Sequence, residues 1–161
     1  MVGEMNKQVF EPSKSKLGDM DAKYAVLIAY LGMGILAIAF GYIAFVVPLI
    51  IYFIDKENKF IAFHAMQAFL LGITMLIVQI ILAIIIAAAT VSAVAGAAIF
   101  NPYAFGAGFG AIVIVGVIGT VIGIIFLIFA IIALINGMKY EIYEIPLFGK
   151  WAEKIVFKTS N

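Results

Sequence analysis

Two long apolar blocks, separated by a short polar stretch, dominate the pattern of hydrophobic and polar positions. The first block, residues 24–54, contains no charged residue, and as one straight helix its 31 residues would extend about 46 Å. The hydrocarbon core of a bilayer is only about 30 Å thick. The block is therefore either one overlong, tilted helix or two shorter helices that turn near residues 40–42. Glycine and proline supply the plausible break points, at Gly32, Gly34, Gly41 and Pro48.

The second block, residues 60–98, is also too long to stand upright in a bilayer as one helix. We expect residues 60–66 to lie in the headgroup zone and a membrane span to follow them. The sequence Asn-Pro-Tyr at 101–103 predicts a break, and FGAGFG at 105–110 predicts a flexible turn with aromatic anchors. The last span then ends just before Gly137, a typical helix stop.

The distribution of lysines decides between three and four spans. Three spans would put four lysines on one side of the membrane and six on the other, whereas four spans put all ten on one side. Because lysines concentrate in cytoplasmic loops, the sequence predicts an all-α integral membrane protein of the plasma membrane with both termini in the cytoplasm. Its membrane domain, residues 24–138, comprises four transmembrane segments arranged as two hairpins: residues 24–40, 42–54, 67–93 and 110–136.

Both ends of the chain are polar. Residues 1–23 mix both charge signs and are expected to form a mobile, water-exposed tail. Within residues 139–161, apolar residues at helical spacing predict one face of an amphipathic helix, with charged residues on the other face. We interpret this helix as an anchor at the cytoplasmic membrane interface, and a docking face for a partner is the alternative. The anchoring residues are Leu147, Phe148, Trp151 and Ile155.

Composition supports a membrane protein and excludes several classes of function. The chain is 66% hydrophobic and 12% charged, far from the balance of a soluble domain. A net charge of +1 provides no basic surface for nucleic acid, and the absence of cysteine excludes thiolate chemistry. With one histidine and no carboxylate deep in any span, we expect no enzymatic activity, no metal site and no cofactor.

Four polar residues lie at one depth in the four-span arrangement. Asp55 ends the second segment and Asn136 closes the fourth. His64 and Gln67 begin the third segment and lie on one side of its helix. Because hydrocarbon cannot satisfy such groups, they face the bundle interior or a wet cavity. One interpretation is a hydrated vestibule with His64 and Gln67 at its mouth, and the other is a structural lock in which His64 bonds to Asp55 or to a backbone carbonyl.

Three glycines in the last segment have spacings that allow helices to approach closely. Gly119 and Gly123 lie four residues apart on one face, and Gly116 lies one turn earlier. Such spacing is typical of close helix–helix contacts in membranes. We expect packing within the bundle, and a dimer face is the alternative.

Residues 60–71, FIAFHAMQAFLL, resemble the R-F-x-A-M-Q-A-x-L-L stretch of the chloroplast protein-import channel family, the twenty-kilodalton component of the inner-envelope translocon. The stretch is closer still to the small prokaryotic membrane relatives of that family. The proline-led run at residues 48–52 and the Tyr-Glu-Ile-Pro-Leu sequence at residues 143–147 match their layout. The resemblance implies a four-helix membrane protein.

These features predict a non-enzymatic membrane subunit. By the resemblance, its expected role is translocation-related or accessory. One alternative is an oligomeric passive channel or transporter subunit assembled through the glycine faces. Another is a membrane scaffold that recruits a soluble partner through its C-terminal helix. The expected partners are the lipid bilayer and either another membrane protein or further copies of the chain.

Overall fold

A computed structural model describes residues 8–158, except for the side chains of residues 38–42 and 158. Within this part of the chain the structure is all-helical, with isolated bridges but no strand, which confirms the all-α part of the prediction. Residues up to Ile73 and from Leu127 onward form one compact unit, and Thr74–Phe126 form a second. The helices are α1 (Ala22–Leu27), α2 (Met33–Phe40), α3 (Val46–Ile54), α4 (Lys59–Ala98), α5 (Pro102–Gly137) and α6 (Phe148–Lys158).

The first apolar block folds back on itself and is not one straight helix. A π-helical turn at Ile28–Gly32 joins α1 to α2, and a 3₁₀ turn at Gly41–Phe45 joins α2 to α3. α3 then packs against the π-helical turn, where a Cβ on Gly32 would lie 3.7 Å from Val47 Cγ1. Pro48 lies in the first turn of α3, where its missing N–H costs no helical hydrogen bond.

α4 is a continuous helix of 40 residues, about 60 Å long. Asn58 caps its start, because Asn58 Oδ1 accepts a hydrogen bond from the backbone N–H of Ile61 at 3.3 Å. The sequence predicted a headgroup segment at 60–66 and a separate span, but the helix has no break there. Burial does change along it: residues 60–68 are all buried, whereas no residue from 72 to 88 is buried.

α4 and α5 are connected by a short turn at residues 99–101. Asn101 Oδ1 accepts hydrogen bonds from the backbone N–H groups of Tyr103 and Ala104, at 3.1 and 3.2 Å, and so caps α5. The FGAGFG sequence at 105–110 is helical, so the expected flexible turn there is wrong. Glycine serves close packing instead, because a Cβ on Gly108 would lie 2.5 Å from the backbone nitrogen of Ala93.

The part of the N-terminal tail that the structure describes is attached to the protein. Phe10 N donates to Tyr140 O at 2.8 Å, and Ile142 N donates to Gln8 O at 3.1 Å. The Phe10 and Phe60 rings lie 5.7 Å apart. The described part of the tail therefore differs from the expected mobile segment, because residues 8–10 pair with the segment that follows α5. Of the predicted tail, residues 22 and 23 belong to α1, and residues 1–7 lie outside the described residues.

α6 does not have the single apolar face that the sequence predicted. Phe148 is buried together with Ala152 and Val156, one helical turn apart each time. Leu147 and Trp151 are 68% and 52% exposed. Phe148 therefore belongs to the inner face of α6, and the other predicted anchors lie on the outer face.

Candidate functional site

Four polar or charged residues are buried in the part of the chain that the structure describes, and all lie in the unit that contains α1 to α3. His64 and Gln67 have no exposed surface, and Ser15 and Asp55 are 2% and 1% exposed. Burial of a polar group is costly unless the group is hydrogen-bonded. The hydrogen-bond partners of these residues therefore define what the site does.

The Gln67 side chain connects α4 to two other segments. Its Nε2 donates to Tyr30 Oη and to the backbone oxygen of Tyr143, each at 3.0 Å. Its Oε1 accepts from the backbone N–H of Ile145 at 3.1 Å. One amide thus satisfies both a carbonyl and an N–H of the non-helical segment between α5 and α6.

His64 attaches the same segment one helical turn earlier. Its Nε2 lies 3.2 Å from the backbone oxygen of Glu141. Because a carbonyl oxygen only accepts, Nε2 carries the proton, and Nδ1 faces the Tyr30 hydroxyl at 3.5 Å. We call Tyr30, His64 and Gln67, with the backbone of residues 141–145 that they hold, the polar lock.

Two glycines let the backbone pass close to the polar lock. A Cβ on Gly137, the last residue of α5, would lie 2.6 Å from Val26 Cγ1 and 3.5 Å from His64 Cε1. A Cβ on Gly149 in α6 would lie 2.6 Å from the Cα atom of Glu144. The lock is therefore enclosed by backbone on both sides, and no side chain larger than hydrogen fits at either position without a shift.

The expected cluster of four polar residues is divided into separate groups. Asp55 does not bond to His64, because its carboxylate accepts from Ser15 Oγ at 2.5 Å and from the backbone N–H of Lys16 at 2.7 Å. Asn136 donates to the Ile132 carbonyl of its own helix at 2.7 Å. Only His64 and Gln67 share a hydrogen-bonded network, through Tyr30.

The N-terminal segment is held at Asp55 and at the neighbouring polar residues. Lys16 Nζ forms an ion pair with Glu57 at 2.6 Å. This contact lowers the pKa of the Glu57 carboxyl. Asn58 Nδ2 donates to Ser13 Oγ at 3.0 Å. The N-terminal segment is thereby tied to residues 55–58, which connect α3 to α4.

α6 is held at its C-terminal end by the first residue of α4. Lys59 Nζ donates to the backbone oxygen of Val156 at 2.8 Å, which satisfies a carbonyl in the last turn of α6. Before α6, partial burial raises the pKa of Glu144, the nearby charge of Glu153 raises it further, and Lys150 opposes both effects.

Two of the three singled-out glycines face α4 within the second unit. A Cβ on Gly119 would lie 3.1 Å from Leu82 Cδ1, and one on Gly123 would lie 3.7 Å from Met75 Cε. Nothing lies within 4 Å of such an atom on Gly116. Among the glycines of α4 and α5, Gly96 and Gly108 leave the least room for a Cβ, and the sequence pattern did not single them out.

Tyr30 and Ser15 were not predicted from the sequence as members of the buried polar groups. Tyr30 is 4% exposed and bonded to both polar side chains of the lock. The role of Tyr30 could have been predicted, because the hydroxyl of a tyrosine inside a long apolar run needs a buried hydrogen-bond partner. Ser15 carried no such signal, since a serine in a polar tail is ordinarily exposed.

The polar groups of the lock hold the structure together, since they bond to other groups of the protein. Both side chains that were expected to line a vestibule have no exposed surface, and their polar atoms bond to protein groups. Among the described residues, no group of three or more His, Cys, Asp or Glu side chains could hold a metal ion. The arrangement fixes a backbone segment against α4 rather than leaving a reactive group open.

The fold is that of a helical protein with two helices, α4 and α5, that are each long and apolar enough to cross a bilayer, as expected of a membrane protein. Residues 21–152 match the model of the magnetosome magnetite crystal formation protein family, MamF/MmsF. Since the match covers most of the chain, the protein belongs to this family of magnetosome-associated membrane proteins. No curated protein and no solved structure matches the chain.

The family match corrects the resemblance drawn from residues 60–71. That stretch suggested the chloroplast import channel family, but the family model that matches is the magnetosome one. The FHAMQAFLL residues are explained by the lock, since His64 and Gln67 are bonded and the residues around them are buried. A translocation-related role is therefore without support.

Proposed function

We propose that the chain is a non-enzymatic accessory protein of a magnetosome-type membrane, where it supports magnetite crystal formation. The observation that carries the proposal is the family match over residues 21–152. That range includes α1 to α5, the start of α6 and every residue of the polar lock. The side chains of the polar lock bond to the backbone of residues 141–145, as expected of residues with a structural role.

The distribution of charge argues against direct contact between the α4–α5 turn and the mineral, and it therefore supports an accessory role. Residues 60–138 contain no Asp, Glu, Lys or Arg. Iron is bound in proteins mainly by carboxylate, imidazole and thiolate groups. The turn at residues 99–101 offers none of these. Groups that could engage other components lie instead in the two polar ends and at residues 55–59.

For the membrane arrangement, we infer two hairpins that enter the bilayer from the same side, with both termini in the cytoplasm. The turns at residues 41–45 and 99–101 contain no lysine, so this topology puts all ten lysines on the cytoplasmic side, as the positive-inside rule favours. The second hairpin, α4 and α5, crosses the bilayer. The helices α1 to α3 supply the other two of the four segments, and α6 lies at the cytoplasmic interface as an amphipathic helix.

The test is complementation of a magnetite-forming bacterium from which its own member of this family has been deleted. We expect the chain to be found in the magnetosome membrane and to restore crystal diameter, measured by electron microscopy. The variant Gln67→Leu, which breaks the lock, should restore it poorly, whereas Gln79→Leu on the same helix should act like the unaltered chain. Correct membrane localisation of the unaltered chain, with crystals of the same diameter as in the deletion strain, would contradict the proposal.

A further inference from the structure

α6 has two apolar faces, and the inner one packs within its own unit. Phe148, Ala152 and Val156 are at most 9% exposed. On the outer side, Leu147 and Trp151 lie four residues apart and are more than half exposed, and Ile155 continues the row at 37%. A helix at the surface of a soluble unit would carry polar residues at these outer positions.

Leu147 is the least expected of the outer residues. Its φ is +71°, in the left-handed region that favours glycine and asparagine. An exposed leucine there incurs backbone strain and leaves an apolar side chain in contact with water. Strain of this kind persists where the surrounding structure fixes the residue. The fixed position directs an apolar side chain outward at the start of α6.

Positive charge lies beside the outer apolar row. At 100° per residue, Lys154 lies about 60° and Lys150 about 100° from Trp151 around the helix. Both lysines are exposed. Glu153 lies on the far side, about 160° away. Apolar side chains and ammonium groups therefore share one half of the helix surface, from which the acidic residue is absent.

We propose that the outer face of α6, made of Leu147, Lys150, Trp151, Lys154 and Ile155, binds the anionic lipid headgroups of the bilayer that contains α4 and α5. Lysine ammonium groups complement lipid phosphates, while Trp and Leu side chains fit the boundary between headgroups and acyl chains. This proposal rests on the membrane arrangement proposed above. It adds the class of lipid and the residues that recognise it.

The experiment uses the full chain, whose only tryptophan is Trp151. Reconstitution into vesicles of phosphatidylcholine, alone or mixed with phosphatidylglycerol, would be followed by Trp fluorescence with two quenchers, lipids brominated near the headgroup and aqueous iodide. With phosphatidylglycerol present, we expect a blue-shifted emission, stronger quenching by brominated lipid and protection from iodide.

The double variant Lys150→Gln/Lys154→Gln tests the role of charge. Each lysine near an anionic surface strengthens binding on the order of fivefold, so the ratio of lipid-protected to water-accessible Trp151 should fall by at least that factor. The matched control is Lys56→Gln/Lys139→Gln, which removes two exposed lysines elsewhere and should leave the ratio unchanged.

Two results would overturn the proposal. Trp151 quenched by iodide in both vesicle types would mean that the face points to water, as a docking site for a soluble protein would. Quenching by brominated lipid that is independent of phosphatidylglycerol and of both lysines would mean apolar insertion without selection of anionic lipid. Either result leaves crystal growth in the complementation experiment unaffected, so failure here is distinguishable from failure of the proposed function.

Discussion

At the scale of single residues, Gln67 connects segments that are far apart in the sequence. Its amide bonds to Tyr30, 37 positions earlier, and to the backbone of Tyr143 and Ile145, more than 70 positions later. Hydrogen bonds inside a low-dielectric environment are costly to leave unmade. A single side chain thus determines where the chain runs after α5.

We expect Gln67→Leu to release the segment between α5 and α6. Leucine is similar in size but leaves the Tyr143 carbonyl and the Ile145 N–H without partners, at a cost of roughly 1–3 kcal/mol each. Thermal unfolding in detergent, followed by circular dichroism, should show a lower midpoint. Limited proteolysis should show faster cleavage near Lys139.

The matched control for this prediction is Gln79→Leu. Gln79 lies on the same helix and is half-buried, and its side chain makes no hydrogen bond among the described residues. Its replacement should leave the midpoint unchanged or raise it. Equal effects of the two substitutions would show that the loss at position 67 comes from the helix and not from the lock.

At the scale of elements, α4 serves two purposes along its length. Its first part, residues 60–68, is buried on every side by protein, and its later part exposes large apolar side chains such as Ile77 and Ile84. The exposed part pairs with α5 through small residues. Without a hydrophobic drive between helices in lipid, such pairs depend on close van der Waals contact.

The close contact of α4 and α5 predicts opposite effects for two neighbouring glycines. A Cβ at Gly108 would lie 2.5 Å from the Ala93 nitrogen and 2.6 Å from the Ala89 oxygen, whereas nothing lies within 4 Å of one at Gly106. Gly108→Ala must push the helices apart and should destabilise the protein by about 1–3 kcal/mol.

Gly106→Ala should be neutral or stabilising, because alanine favours helix by up to about 1 kcal/mol over glycine. The melting temperatures of the two variants in one detergent provide the comparison. Should both variants melt at the temperature of the unaltered chain, the contact between α4 and α5 at Gly108 would not contribute to stability.

At the scale of the whole molecule, the two hairpins differ in length. α4 and α5 have 40 and 36 residues, about 60 and 54 Å. The first hairpin is shorter, since its turn residue Phe45 lies beside Gly72, where a Cβ would be 2.8 Å from Phe45 Cβ. Gly72 is only about 20 Å along α4 from Lys59 at 1.5 Å per residue, less than the thickness of the hydrocarbon core.

This difference predicts a pattern of labelling for single cysteines in the cysteine-free chain. An impermeant thiol reagent applied to spheroplasts of an expression host should label Tyr103→Cys, which is 87% exposed in the α4–α5 turn. Lys56→Cys should react only after the membrane is permeabilised. Ile43→Cys, 69% exposed in the first turn, should stay unlabelled from outside because the first hairpin stops within the bilayer.

Labelling of Ile43→Cys from outside would instead show that the first hairpin crosses completely, as four full spans require. Labelling of Lys56→Cys from outside would contradict the proposed orientation of both hairpins. Together the three positions distinguish a part-way first hairpin, four full spans and an inverted chain.

Much of the helical framework could be predicted from the sequence, but less of the site. The apolar blocks, the break at Asn101 and Pro102 and the burial of His64 and Gln67 follow from local patterns. The helical state of residues 105–110 did not, because glycine that permits a turn also permits close helix contact. The partners of Asp55 depend on Ser15 and Lys16, about 40 residues away, and no local pattern encodes such a pairing.

The sequence by itself determined the apolar character of the chain and the extent of its apolar blocks, because hydropathy and charge act residue by residue on the transfer between water and lipid. Tertiary structure decided which polar groups meet. His64 and Gln67 needed a carbonyl, an N–H and a phenol that only the folded chain brings to them. Tertiary structure also decided which face of α6 is buried, since helical periodicity orders residues around an axis but does not say which side contacts protein.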